Sequence, residues 1–121
     1  MARVLLVDDD EASLDLMRRA LESDGHAITG AGSGTEARDI LEHDPGAFDC
    51  LVTDVNMPGL SGVELLREAN KLCPTLKLVV ISGFLDQLES GRAAVPAGLT
   101  TLAKPFTLEQ IRQAVRQALQ T

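Results

Sequence analysis

The sequence has no tryptophan and no tyrosine, and only three phenylalanines among its 121 residues. Proteins that stack bases or sugars need exposed aromatic faces, so that mode of recognition has almost no material here. Cysteine is nearly as scarce, occurring only at Cys50 and Cys73. The two stand far apart with no second Cys or His at ligand spacing, which supports neither a metal centre nor a disulfide. No apolar stretch approaches the roughly 20 residues that cross a bilayer. The opening "MARVLLVDDD" carries one Arg and a short apolar run that breaks at once into acids, which reads as a strand and not a secretory signal. We therefore expect a cytoplasmic protein without a membrane partner. Positive charge is short as well: 11 Lys and Arg against 18 Asp and Glu give a net charge of −7. A nucleic-acid partner requires a clustered basic surface, so direct binding of DNA or RNA is not expected. The C-terminal "IRQAVRQALQ" is locally basic, but two arginines on one helix more often solvate a face than grip phosphate.

What is present suits one globular domain spanning residues 1–121, long enough to bury a core and too short for two ordinary domains. The chain alternates between two kinds of segment. "RVLLV" (3–7) is a continuous apolar run, and the helix that follows places Leu14, Met17 and Leu21 at helical spacing before Gly25. "HAITG" (26–30) and then "TEARDILEH", with Ala37, Ile40 and Leu41 on one face, repeat the unit before Pro45. "DCLVT" (49–53) and "KLVVI" (77–81) are apolar on both faces, as strands buried in a parallel sheet are. Between them "SGVELLREANKLCP" has Ser61 and Glu64 at capping-box spacing, with Val63, Leu66 and Ala69 expected inward. "LDQLESGRAAV" predicts a short fourth helix weakened by Gly91 and ended by Pro96. "TTLA" (100–103) and a fifth helix complete the pattern, with Thr107 and Gln110 as a second capping pair and Leu108, Ile111, Val115 and Leu119 as its core stripe.

Five strands alternating with five helices require right-handed crossovers. The expected architecture is therefore α/β: a doubly wound (βα)5 three-layer sandwich with a five-stranded parallel sheet in the order 2-1-3-4-5. Ligands of such sheets bind beyond the carboxyl ends of the strands, at the topological switch point. Asp8, Asp9 and Asp10 follow the first strand and Asp54 follows the third. In this strand order those two ends are neighbours, so Asp8, Asp9 and Asp54 should converge. Carboxylates that close repel unless a cation neutralises them or a proton stays bound. Oxygen ligands with no His or Cys nearby point to a hard ion, and Mg2+ suits two carboxylates, a backbone carbonyl and waters. Ser82 and Lys104 end the fourth and fifth strands at the same edge. Each has a plainer role when taken alone: a solvated loop for the acids, a strand-end hydroxyl, a surface cation, a turn residue. Together, the hydroxyl, ammonium, metal and carboxylate form a site for a phosphoryl group with Asp54 as nucleophile.

"LLVDDD", "DVNMPGLSG", "VVISG" and "LAKPF" resemble, in order and at matching separations, the signature segments of the receiver domain of two-component response regulators, the CheY-like family. The resemblance implies that Asp54 accepts a phosphoryl group from a histidine kinase or histidine phosphotransfer protein, in a Mg2+-dependent reaction that the domain itself catalyses. It implies Asp9 as the direct metal ligand, Asp8 as the second acid and the Asn56 carbonyl as the remaining protein ligand. Ser82 matches the hydroxyl that moves toward the phosphoryl group, Lys104 the lysine that pairs with it, and Pro105 the proline after a cis peptide bond. The implied output is a downstream protein bound on the face of the fourth helix, fifth strand and fifth helix. No external substrate is turned over.

Two positions depart from the family pattern, and a third bears on the lifetime of the phosphoryl group. Thr101 stands where many receivers have a switch aromatic, so the readout is expected to run through residues 83–91. Leu99 replaces a residue that is commonly small. Phe84, two residues beyond Ser82, is expected to screen the phosphoryl group from water and slow its loss. Among alternatives, the chain reads equally as a receiver cut from a hybrid histidine kinase or a longer regulator. A Mg2+-dependent phosphohydrolase would usually have a second acid two residues after its nucleophile, where this chain has Asn56. "GAGSG" (30–34) follows the second strand, whereas a dinucleotide fingerprint follows the first, and a flexible connection explains it better.

Overall fold

The computed structural model describes residues 2–55, 59–83 and 99–120. Five strands, β1 (Arg3–Val7), β2 (Ala27–Ala31), β3 (Cys50–Asp54), β4 (Lys77–Ser82) and β5 (Thr100–Ala103), form one parallel sheet in the order β2-β1-β3-β4-β5. Four described helices connect or follow them: α1 (Glu11–Ser23), α2 (Gly34–His43), α3 (Gly62–Leu72) and α4 (Leu108–Gln120). The short helix expected over residues 85–95 lies outside the described residues, so α4 is the helix expected as the fifth.

Alternation along the buried strands divides the core in two. Val4, Leu6, Cys50, Val52, Val79 and Ile81 face α1 and α4, where Met17, Leu21, Ile111 and Val115 meet them. Leu5, Val7, Leu51, Leu78 and Val80 face α2 and α3, against Ala37, Leu41, Leu65, Leu66 and Ala69. Burial on both faces is why β1, β3 and β4 read as unbroken apolar runs.

Side-chain caps start the helices where the sequence places them. Ser61 accepts from the Glu64 amide at 3.2 Å and donates to its carboxylate at 3.3 Å. Thr107 accepts from the Gln110 amide at 3.1 Å, while the Gln110 side chain accepts from the Thr107 amide at 2.8 Å. Such caps satisfy donors that the first helical turn leaves open.

Two helices seat differently from their apolar spacing. Leu108 is 40% exposed, and α4 buries Ile111, Ala114, Val115 and Ala118 instead. At 100° per residue Leu108 lies about 70° from the middle of that face, so it flanks the core. In α3, Leu65 is fully buried and Val63 sits at the margin, for the same angular reason. The glycine-rich segment is not a loose connection either. Gly30 is in β2, Ser33 caps α2, and a side chain at Gly34 would collide with the Leu60 carbonyl in the loop after β3.

Candidate functional site

Register brings the expected residues to one edge. Val7 pairs with Thr53 and Asp54 with Ile81, while Ser82 pairs with Ala103. Asp8, Asp54, Ser82 and Lys104 therefore occupy the carboxyl ends of β1, β3, β4 and β5. Three of them are buried: Asp8, Asp54 and Ser82 are 4%, 3% and 2% exposed. A polar side chain is rarely so enclosed without partners, and these have them. The Lys104 Nζ donates to Asp54 Oδ2 across the sheet, and the Lys104 amide donates to the Ser82 carbonyl at 3.0 Å. The Lys104–Pro105 peptide bond is cis. A cleft of about 420 Å3 opens beside this group, lined by Asp8, Ser13, Ile81, Lys104, Pro105 and Phe106. A larger depression of about 760 Å3 runs along α2 between Ser33 and Phe48, on the other flank and away from the buried acids. The smaller cleft is the one that adjoins the chemistry.

The acid triplet separates into three environments. Asp8 is buried and accepts from the Asp10 amide at 2.9 Å. Asp9 is exposed. Asp10 caps α1, accepting from the Ala12 amide at 3.2 Å and from the Ser13 hydroxyl at 2.8 Å. Three identical residues thus divide into a buried charge, an exposed one and a helix cap, because the chain turns from strand to helix over their length.

Burial pushes the Asp8 carboxyl above its ordinary range, and the charges of Asp54 and Asp9 push the same way. The Asp10 amide and the Lys104 charge oppose the shift without cancelling it. For Lys104, burial acts to lower the ammonium pKa. The hydrogen bond and charge of Asp54, helped by Asp8 and Asp9, outweigh burial and raise it. The edge is thus a negatively charged recess in which Lys104 is held protonated and one more positive charge would be welcome.

That excess bears on a metal. Among the described residues, no three His, Cys, Asp or Glu side chains stand close enough to form a cage by themselves. Mg2+ does not require one, since it keeps several waters and takes only one or two carboxylates. Two buried acids at adjacent strand ends, one with its charged form disfavoured, fit such an ion. Asn56, expected to contribute its carbonyl, and Phe84, expected to screen the site, both lie outside the described residues. Thr101 is in β5, half-buried and paired with Val80.

One buried polar residue escapes the reading of the sequence. Thr53 is wholly buried beside Asp54, and its hydroxyl donates to the Asp54 main-chain carbonyl at 3.0 Å. Within "CLVTD" a threonine passes for an ordinary β-branched strand residue. The available signal was its hydroxyl, the one polar group in a run otherwise apolar up to Asp54.

A doubly wound parallel sheet carrying acids, a hydroxyl and a lysine at its switch point defines the class as a flavodoxin-like α/β protein with its site at the carboxyl edge. The family model for the response regulator receiver domain matches residues 4–116, and the chain belongs to that family. It is 38% identical over 119 residues to the sensor kinase CckA of Brucella abortus (strain 2308), covering 98% of this chain and 13% of that protein. It is 33% identical over 119 residues to the response regulator receiver protein CpdR of the same organism, covering 98% of each. The fold matches the crystal structure of a response regulator receiver domain protein from Clostridium thermocellum with a TM-score of 0.86 and 29% identity, over 99% of this chain and 95% of that one. The chain is thus similar to a small part of one relative and to nearly all of another. As a receiver domain it is a component of two-component signalling and fits the phosphoryl-acceptor role of its family. No described helix is long and apolar enough to cross a membrane.

Proposed function

We propose that Asp54 takes a phosphoryl group from the phosphohistidine of a histidine kinase or histidine phosphotransfer protein, and that the acyl phosphate switches a protein-binding surface. The observation that carries this reading is the pairing of a buried carboxylate with an ammonium at a strand end: Asp54 Oδ2 accepts from Lys104 Nζ, with Asp8 at the end of the adjacent strand. In the transfer an Asp54 oxygen bonds to phosphorus as the phosphorus–nitrogen bond breaks, and the imidazole leaves and takes up a proton. Lys104 neutralises charge on the transferring oxygens and the Ser82 hydroxyl donates to one of them. Asp8, Asp9 and Asp54, with the Asn56 carbonyl, would hold Mg2+. When bound, the ion supplies positive charge to the carboxylates and the phosphoryl oxygens.

On this reading, transfer and later hydrolysis are self-catalysed, and the domain works in the cytoplasm. Its target binds on a face that includes β5 and α4; the fourth helix expected to complete that face lies outside the described residues. Similarity over the whole of CpdR supports a free-standing receiver, and similarity to a segment of CckA supports a receiver carried on a kinase. The test is intact mass after incubation with acetyl phosphate, with and without Mg2+, for wild type and Asp54→Ala. One phosphoryl adduct on wild type with Mg2+, and none on the variant, is expected. An adduct of equal yield on Asp54→Ala would overturn the assignment.

A further inference from the structure

Of the four buried polar residues among the described residues, Asp8, Asp54 and Ser82 belong to the site above and Thr53 does not. Alternation turns Thr53 with Leu51 toward α2 and α3, away from the side that Asp54 shares with Cys50 and Val52. Valine would fill that position with nearly the same shape and no hydroxyl to satisfy, so an apolar core gains nothing from threonine there. Its hydroxyl has a local use: it donates to the Asp54 carbonyl oxygen at 3.0 Å.

The same peptide group is held from two other directions. Its N–H, that of Val55, donates to the Ile81 carbonyl at 3.0 Å. Its face packs on the first residue of α3, where a Cβ on Gly62 would lie 2.7 Å from Val55 Cα and 2.9 Å from the Asp54 carbonyl carbon, and nearer still to its oxygen. The Gly62 amide donates to the Val55 carbonyl at 3.1 Å and keeps that approach in place. Both ends and one face of the Asp54–Val55 peptide plane are therefore fixed. A shift of this peptide would carry the Asp54 Cα, and with it the carboxylate, relative to Lys104.

We propose that Thr53 is a positioning residue for phosphoryl transfer: its buried hydroxyl and the Gly62 Cα clamp the Asp54–Val55 peptide and so aim the Asp54 carboxylate. This rests on Asp54 being the phosphoryl acceptor. At saturating Mg2+, a nucleophile displaced by a fraction of an ångström loses rate without losing donor binding, because Lys104, Ser82 and the ion, not the attacking oxygen, bind the donor's phosphoryl group.

The experiment compares wild type with Thr53→Val, Thr53→Ser and Gly62→Ala. Each is checked for a cooperative thermal transition, and phosphorylation by acetyl phosphate at saturating Mg2+ is followed by intact mass. For Thr53→Val we expect the limiting rate to fall about tenfold with the half-saturating donor concentration unchanged, and for Thr53→Ser to stay within about twofold of wild type. Gly62→Ala should slow the same limiting rate, since its Cβ must push the peptide plane. If Thr53→Val does not fold, Thr53→Ala, which also lacks the hydroxyl and needs less room, takes its place in the comparison with the same expected loss of rate. A folded Thr53→Val with the wild-type rate, or a Thr53→Ser as slow as Thr53→Val, overturns the proposal while leaving Asp54 as acceptor. Wild type that takes no phosphoryl group under these conditions overturns the acceptor reading itself, and the proposal with it.

Discussion

Asp8 sets two requirements of a single residue against each other. Its carboxyl is buried beside Asp54, and burial first, then the charges of its neighbours, raise its pKa above that of the unfolded chain. An acid shifted that way costs stability once pH exceeds its ordinary carboxylate range, because the folded state resists the ionised form. A divalent cation reverses the preference. We therefore expect Asp8→Asn to raise the melting temperature of the Mg2+-free protein at pH 7 by a few degrees, and to abolish most of the further rise that Mg2+ gives wild type. Melting curves with and without Mg2+ decide it, and a lower melting temperature for metal-free Asp8→Asn would contradict it. Asp8, Asp54, Ser82 and Lys104 were legible in the sequence because each ends an apolar run, and strand order converts that position into a shared edge. How Asp8, Asp9 and Asp10 divide was not legible, since identical residues differ only in where the backbone turns. Thr53 was hidden because strand propensity already accounts for it.

Among the elements, α1 and α4 are joined by charge as well as by packing. Arg116 donates to both oxygens of Asp24, at 2.8 and 2.5 Å, just where α1 ends, and Arg112 donates to the Ala20 carbonyl at 3.1 Å. The hydrogen bond from Arg116, and its charge, hold the Asp24 carboxyl below the ordinary range. A lowered carboxyl pKa contributes stability above the unfolded value and loses it as pH falls through the folded one. Asp24→Asn should accordingly lower the melting temperature at pH 7, with the gap to wild type closing as pH drops below about 4. A gap that stays constant with pH would locate the effect elsewhere. Helix positions and caps were readable from spacing and from the Ser-x-x-Glu and Thr-x-x-Gln pairs. The buried face of α4 was not, because large apolar residues draw the eye to Leu108 while Ala114 and Ala118 take the places against the core. Unfolding in denaturant should show Leu108→Gln changing stability by less than about 0.5 kcal/mol. Ile111→Ala should cost about 2–5 kcal/mol. Equal costs for the two would restore the stripe suggested by the sequence.

Taken as a whole molecule, the fold is an apparatus for presenting one carboxylate. Three central strands buried on both faces give β3 no freedom at Asp54, and the parallel arrangement sends the strand ends with acids, hydroxyl and lysine to a single edge. Strand order and the two-sided core were legible because apolar runs alternating with amphipathic helices admit few topologies. Side-chain contacts such as Lys104 to Asp54, separated by 50 residues, follow only once that topology is formed. The measurement that addresses the central claim most directly is the chemical location of the phosphoryl group. Protein incubated with acetyl phosphate and Mg2+ is reduced with borohydride, which converts an aspartyl phosphate to homoserine, and its peptides are sequenced by tandem mass spectrometry. Homoserine at position 54, and at no other acid, is the expected result. Homoserine at Asp8, Asp9 or Asp10, with Asp54 unchanged, would contradict it.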